Sequence, residues 1–285
     1  MGASRAGAAE ATISIVVLTH DRCHLLRQCV ENVLLRTSPL TTEIVIWNNA
    51  SRDGTRAYLD SLRDPRIRVV HSPKNIGVNA YAEAFRSTAG RYLIELDDDV
   101  VDAPAGWDET LLDAFERLPH IGYLAANLVD DPHDVQARLL FSLRSHLYRS
   151  EEANGLRLKV GGPIGGWCGL TSRDLHDRVG GWRQKRRVFW EEEGVYFRAL
   201  ERLGLAPAYL EDLRVRHAGG PHYSPTPKEK LEYLLACDRR YARRNAVKNA
   251  LLALPLVRLL NERNAWFEVP PDDSFDWVAL YTTAA

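Results

Sequence analysis

The chain has 285 residues, 45% of them hydrophobic and 26% charged, with a formal net charge of −1. That length can bury a sizeable core, in one large α/β domain or one domain with an appendage. The near-neutral balance gives no ground for a nucleic-acid partner, and no run approaches the roughly 18–20 apolar residues of a bilayer-spanning helix.

Met1 to Ala11 is small and polar and reads as a disordered leader. Ile13 to Leu18 is a continuous apolar, β-branched run, as expected of a strand buried on both faces. Arg22 to Leu35 has apolar residues at helical spacing. Glu43 to Trp47 predicts a second strand, Thr55 to Leu62 a short helix and Ile67 to His71 a third strand. Asn79 to Thr88 predicts a helix ended by Gly90, and Tyr92 to Leu96 a fourth strand. Strands alternating with helices argue for a parallel sheet with crossover helices.

The second half is less regular. Ala105 to Leu118 predicts a helix and Ile121 to Leu128 a strand, while Asp130 to Ser150 is polar and gives no clear assignment. Lys159 to Gly169 carries five glycines, which implies close backbone approach. Glu191 to Leu203 predicts a helix, Ala208 to His217 strand-like segments, Pro221 to Pro227 a loop and Lys228 to Leu254 a long helix. The cysteines Cys23, Cys29, Cys168 and Cys237 show no C-x-x-C pairing and read as free thiols in a reducing, cytoplasmic compartment.

The loops after the strands carry the chemistry. They are Thr19-His20-Asp21-Arg22, then Asn48 to Thr55, then Lys74-Asn75-Ile76-Gly77, then Asp97-Asp98-Asp99. In a parallel sheet all four share the carboxyl edge, where open α/β sheets bind ligands. Three adjacent carboxylates there repel one another unless a cation offsets them, and oxygen ligands suit Mg²⁺ or Mn²⁺. No G-x-G-x-x-G or G-x-x-x-x-G-K-[ST] follows the first strand, so side chains and a metal must hold any nucleotide.

These segments together resemble the GT-A glycosyltransferases of the inverting family 2 type. Ile13 to Arg22 resembles that family's opening strand, VSVIIPTYNR, and Ile44 to Thr55 resembles IIVVDNGSTDGT. Asn75-Ile76-Gly77 resembles its N-x-G segment, and Tyr92 to Val100 its strand ending in the D-x-D metal motif. Trp190 to Arg198 resembles F-E-D-V-D-L-C-L-R, and Val215 to Gly220 resembles V-x-H-x-G-G. The resemblance covers residues 13 to 220, in order. It departs from the family at Asn48 (usually Asp), at Ala50 (usually Gly) and at Glu191-Glu192 (usually E-D).

The resemblance implies a domain organisation and a set of roles. Residues 12–224 would form an α/β GT-A catalytic domain with a mostly parallel central sheet flanked by helices. Its nucleotide-sugar half would be 12–100 and its acceptor half 101–224, with a helical extension over 225–285. Thr19, Asp21, Arg22 and Asn49 would line the nucleotide, with Asp53, Asn75 and Gly77 beside them. Asp98 would face the ribose, with Asp97 grouped alongside. Asp99 would hold Mg²⁺ or Mn²⁺, and His217 would be a further metal or diphosphate contact. Glu192 would be the general base, with Glu191 and Glu193 one register step away. Gly166 and Trp167 would floor an acceptor pocket. The partners implied are a nucleoside diphosphate sugar and a hydroxyl-bearing acceptor.

Two other functions compete on the residues alone. A nucleotidyltransferase also uses an Asp-bound metal, but normally opens with a glycine-rich basic loop that Thr19-His20-Asp21-Arg22 lacks. A non-catalytic sugar-binding relative would have no need of Asp98, Asp99 and Glu192. Lys228 to Arg263 carries nine Lys or Arg against four Asp or Glu. Such a basic helix fits peripheral contact with an anionic membrane, a solvated face or a homodimer contact.

Overall fold

The computed structural model describes residues 12–162, 164–182, 192–224 and, between 232 and 264, residues 232, 243, 246–248 and 250–264. The chain divides into two compact units, Met1–Ala218 and Gly219–Ala285. The leader 1–11, Glu191 and most of the expected helix Lys228 to Leu254 lie outside the described residues.

The first unit opens with the expected alternation: β1 (Ile13–Thr19), α1 (Cys23–Arg36), β2 (Thr41–Asn48), α2 (Thr55–Ser61), β3 (Ile67–His71), α3 (Asn79–Arg86) and β4 (Tyr92–Asp97). β1 is buried along almost its whole length because helices cover both faces of a parallel sheet. α1 turns Leu25, Leu26, Cys29, Val30 and Val33 inward as one stripe. α3 stops two residues short of expectation. The Ser87 and Thr88 hydroxyls donate to the carbonyls of Ala84 and Phe85, each at 2.7 Å, and so compete with continuation of the helix.

The later elements are β5 (Val100–Asp102), α4 (Trp107–Glu116), β6 (Ile121–Leu128), α5 (Val135–Arg138), β7 (Arg149–Ala153), β8 (Leu156–Val160), β9 (Cys168–Ser172), α6 (Arg173–Arg178), α7 (Glu192–Glu201) and β10 (Ala206–His217). The second unit contains α8 (Pro255–Asn264). The polar stretch that resisted assignment holds α5, a π-helical turn at Leu139–Leu143 and a short helical turn at Ser145–Leu147 before β7 begins. β5, β7, β8, β9 and α6 are additions to the sequence reading. α4 starts two residues later than predicted because Gly106 sits at φ 71, outside helical geometry. Its buried Asp108 accepts from the Ser38 amide, the Ser38 hydroxyl and the Thr41 hydroxyl, tying α4 to the start of β2.

The sheet order is β3-β2-β1-β4-β9-β6-β10-β8-β7, with β5 paired to β10. β3, β2, β1 and β4 are mutually parallel, as are β6 and β10. β9 runs antiparallel to both β4 and β6, which leaves those two pointing the same way. The result is a mostly parallel central sheet flanked by helices. Among the described residues no helix is long and apolar enough to cross a membrane.

The glycine-rich stretch is explained by packing. Gly169 lies against Tyr123, and an added Cβ would sit 2.0 Å from the phenol oxygen. Tyr123 is itself wedged against Trp182, Tyr196 and Phe197. Gly169→Ala is therefore expected to overpack the core and cost about 1–3 kcal/mol. A urea midpoint equal to that of the wild type would contradict this.

His176 lies in the same cluster, 5.4 Å from the Phe85 ring and 5.7 Å from the Tyr196 ring, and 5% exposed. Burial pulls its pKa down to about 4. Between that value and the ordinary 6.5 the unfolded chain binds the proton and the folded chain does not, so stability is full above the window and falls as pH drops through it. The loss should be about 3 kcal/mol. Denaturant melts at pH 7 and pH 4.5 should show it, and His176→Phe should flatten it. An equally steep acid loss in the variant would exclude this histidine as the cause.

Candidate active site

Strand register brings the predicted loops to one edge. Thr19 pairs with Asn48, Leu18 with Trp47 and with Asp97, and Asn48 with His71. The loops are then sewn together by side chains. Asp21, at φ 52, accepts from the Arg52 amide at 2.5 Å, and its own amide donates to Ser51. Burial works against its charge, but the Arg52 amide and His20 hold its carboxyl below the usual range. Asp53 accepts from the Thr55 and Cys23 amides, so one carboxylate serves the first turns of α1 and α2.

Asn49 is 2% exposed and spends its amide on the next loop. It accepts from the Ile76 amide and donates to the Asn75 side chain and the Gly77 carbonyl. Asn75 in turn accepts from the Gly77 amide, and Gly77 takes φ 61. Asn49, Asn75 and Gly77 thus form one unit that shapes the edge. Thr19 is buried, and its carbonyl accepts from the Asn49 amide at 2.9 Å.

The acidic run has an internal counter-ion. Arg22 Nη1 donates to Asp98 at 2.9 Å and to Asp99 at 2.6 Å. Burial disfavours the guanidinium charge, but Asp99 and Asp98 outweigh it and hold Arg22 firmly protonated. Asp98 is pushed up to about 6 by burial, with Arg22 opposing and Asp99 adding to the rise. The expectation that the run requires an outside cation is therefore partly answered by the chain itself.

β5 returns along β10 and pairs Val100 with His217. That pairing sets His217 Nε2 3.0 Å from Asp99 and 3.7 Å from Asp97. The Ala218 amide donates to the Asp99 carbonyl at 2.8 Å and locks the corner. Asp97, Asp99 and His217 each offer one ligand atom, all within 4.8 Å of one another. The sequence reading grouped Asp97 with the nucleotide, whereas the structure gathers it with Asp99 and His217. Two carboxylates and an imidazole suit Mn²⁺ and are compatible with Mg²⁺. Burial works against charging His217, but Asp99 and Asp134 raise its pKa well above the ordinary value.

The glycine-rich segment meets the site through backbone. The Asp97 amide donates to the Trp167 carbonyl at 3.1 Å. Gly166 packs on the buried Glu95, whose carboxylate would lie 2.5 Å from an added Cβ. Trp167 itself is a core residue, 2% exposed, with its indole N–H donated to the Ala126 carbonyl at 2.7 Å. This corrects the expectation that its ring lines an acceptor pocket. The side chain that looked available for a sugar is consumed in joining β6 to β9.

Glu192 opens α7, and Glu191 lies outside the described residues. Two residues that sequence reading missed also reach the site. Tyr81, on α3, donates its hydroxyl to Asp97 at 3.2 Å. Asp134, the N-cap of α5, contacts His217 Nδ1 at 2.9 Å. The only signal for Asp134 was an acidic residue ahead of the helix-compatible Val135 to Arg138.

Comparison with known proteins bears on the fold and the family. Among solved structures, the chain is similar to a mannosyltransferase from Pyrobaculum calidifontis in complex with GDP-Man and Mn²⁺. The identity is 19%, the TM-score 0.53, and the match covers 90% of this chain and 76% of that one. It is also similar to GalNAc-T7 with UDP, GalNAc and Mn²⁺, at 15% identity and TM-score 0.54. That match covers 73% of this chain but only 44% of the GalNAc-T7 chain, less than half its length. A third likeness is to glucosyl-3-phosphoglycerate synthase from Mycobacterium tuberculosis, at 20% identity and TM-score 0.50, covering 73% of this chain and 72% of that one. These likenesses make the fold GT-A. The model of glycosyl transferase family 2 matches residues 14–180, more than half the chain, and the chain belongs to that family.

Proposed function

We propose that this chain is an inverting, metal-dependent glycosyltransferase that moves a sugar from a nucleoside diphosphate sugar to an acceptor hydroxyl. The observation that carries the reading is the convergence of Asp97, Asp99 and His217 at the edge where the βα loops meet. The mannosyltransferase complex with GDP-Man and Mn²⁺ and the GalNAc-T7 complex with UDP, GalNAc and Mn²⁺ support it.

Asp97, Asp99 and His217 would hold Mg²⁺ or Mn²⁺, which when bound offsets the charge that grows on the departing diphosphate. Arg22, fixed by Asp98 and Asp99, adds a positive charge on the same side. Thr19, Asp21 and Asp98 belong to the base and ribose end, and the Asn49–Asn75–Gly77 unit shapes its wall. Glu192, at the start of α7, takes the proton from the acceptor hydroxyl as that oxygen attacks the anomeric carbon. The new glycosidic bond forms on the face opposite the breaking bond to diphosphate, so the anomeric centre inverts with no covalent enzyme intermediate.

The test is a panel of nucleoside diphosphate sugars incubated with the protein and Mn²⁺, read as nucleoside diphosphate release. Release from at least one donor is expected. No release from any donor, with pyrophosphate formed instead from a nucleoside triphosphate and a sugar phosphate, would convert the assignment to a nucleotidyltransferase.

A further inference from the structure

The imidazole of His217 is held from both sides. Nε2 faces Asp99 and Asp97, while Nδ1 lies 2.9 Å from Asp134 Oδ2. Asp134 has no exposed surface and His217 is 4% exposed, so the Nδ1 contact is shielded from bulk water. The second oxygen of Asp134 is also committed, because Oδ1 accepts from the Gln136 amide at 2.8 Å at the N-terminus of α5. A carboxylate can only accept, so the Nδ1 hydrogen of the ring must point at Asp134. A ring that keeps its hydrogen on Nδ1 would offer its Nε2 lone pair to a metal held with Asp97 and Asp99.

We propose that Asp134 is a positioning residue of the metal centre, selecting the His217 tautomer that ligates through Nε2 and anchoring α5 to that centre. The proposal rests on the metal reading given above. Metal-bound histidines commonly direct their second nitrogen at a carboxylate, and removing such a partner weakens metal binding by about 10–100-fold. Asp134 lies 83 residues from His217 in the chain, and among the described residues its carboxylate pairs with no Lys or Arg, leaving His217 as its ionic partner.

Asp134→Asn and Asp134→Ala test it. With its carbonyl on the Gln136 amide, the asparagine turns its NH₂ toward Nδ1, drives the hydrogen to Nε2 and removes the ligand lone pair. Mn²⁺ titrations followed by electron paramagnetic resonance should then show dissociation constants raised about 10–100-fold, with the melting temperature of Asp134→Asn close to wild type. The ¹⁵N imidazole shifts of His217 in Mg²⁺-saturated protein should report hydrogen on Nδ1 in the wild type and on Nε2 in Asp134→Asn. If the asparagine turns the other way, its carbonyl keeps the Nδ1 hydrogen and the helix loses its cap. Weakened Mn²⁺ binding then appears in Asp134→Ala alone, which also supports the role.

Mn²⁺ affinity within twofold of wild type in both variants, with a lowered melting temperature, would mean a helix cap and nothing more. Should Asp134→Ala fail to fold, Asp134→Asn decides: unchanged affinity with the hydrogen on Nε2 overturns the proposal. Wild-type protein that binds no Mn²⁺ overturns the metal reading itself and this role with it.

Discussion

Glu192→Gln is expected to lower turnover by about 10²- to 10⁴-fold while leaving nucleotide-sugar binding intact. Glutamine keeps the size and hydrogen-bonding reach of the side chain but takes no proton, so only the transition-state role is lost. The kcat profile should also lose its acidic limb, which reports the carboxylate. Glu191→Gln and Glu193→Gln are register controls, Glu193 following Glu192 on α7 with a turn of about 100°. Full activity in Glu192→Gln with a dead Glu191→Gln would move the base by one residue and leave the mechanism standing. Three active variants would place the base elsewhere.

Asp99→Ala is expected to act through the metal. Asp99 belongs to the group with Asp97 and His217 and also receives Arg22. Its loss should weaken Mn²⁺ binding beyond detection in the micromolar range and reduce turnover by about 10³-fold, equivalent to several kcal/mol of lost charge stabilisation. Nucleoside diphosphate binding should fall to the level that the wild type shows in EDTA and should not respond to added Mn²⁺. Asp99→Asn retains the volume and an acceptor for Arg22, and so separates this effect from loss of fold. Equal weakening by Asp99→Ala with and without metal would move the ligand elsewhere.

How far the sequence spoke depended on whether the signal was local. The strands β1 to β4 and their helices follow from short apolar runs and helical stripes, and Ile67–His71 and Ile121–Leu128 fall where the pattern puts them. Those strands end at the polar loops, so the aspartates could be placed on one edge before any coordinates, whereas His217 joined them only through the family resemblance. β7 and β8 carry Arg149, Glu151, Glu152, Arg157 and Lys159, a polar pattern that reads as loop until the pairing of β8 with β10 and of β7 with β8 is known. Trp167 looked like a sugar platform because its neighbours are glycines. Those glycines instead make room for Glu95 and Tyr123.

Side-chain partnerships across long sequence separations were the least legible. Arg22 meets Asp98 and Asp99 across more than seventy residues, and Asp134 meets His217 across 83. Nothing periodic encodes either contact. Each is fixed by the sheet order, in which β1 lies beside β4 and β10 beside β6.

The most direct measurement for the metal-bridged nucleotide site is a thermal-shift titration of UDP, GDP and the other nucleoside diphosphates, with Mn²⁺ and with EDTA. A ligand that binds only the native state raises the melting temperature in proportion to RT ln(1 + [L]/Kd), about 2.7 kcal/mol at a hundredfold excess over Kd. The account predicts that one nucleoside diphosphate shifts the transition strongly in Mn²⁺ and weakly or not at all in EDTA. A shift of equal size in both conditions, or no shift with any nucleoside diphosphate in Mn²⁺, would contradict it.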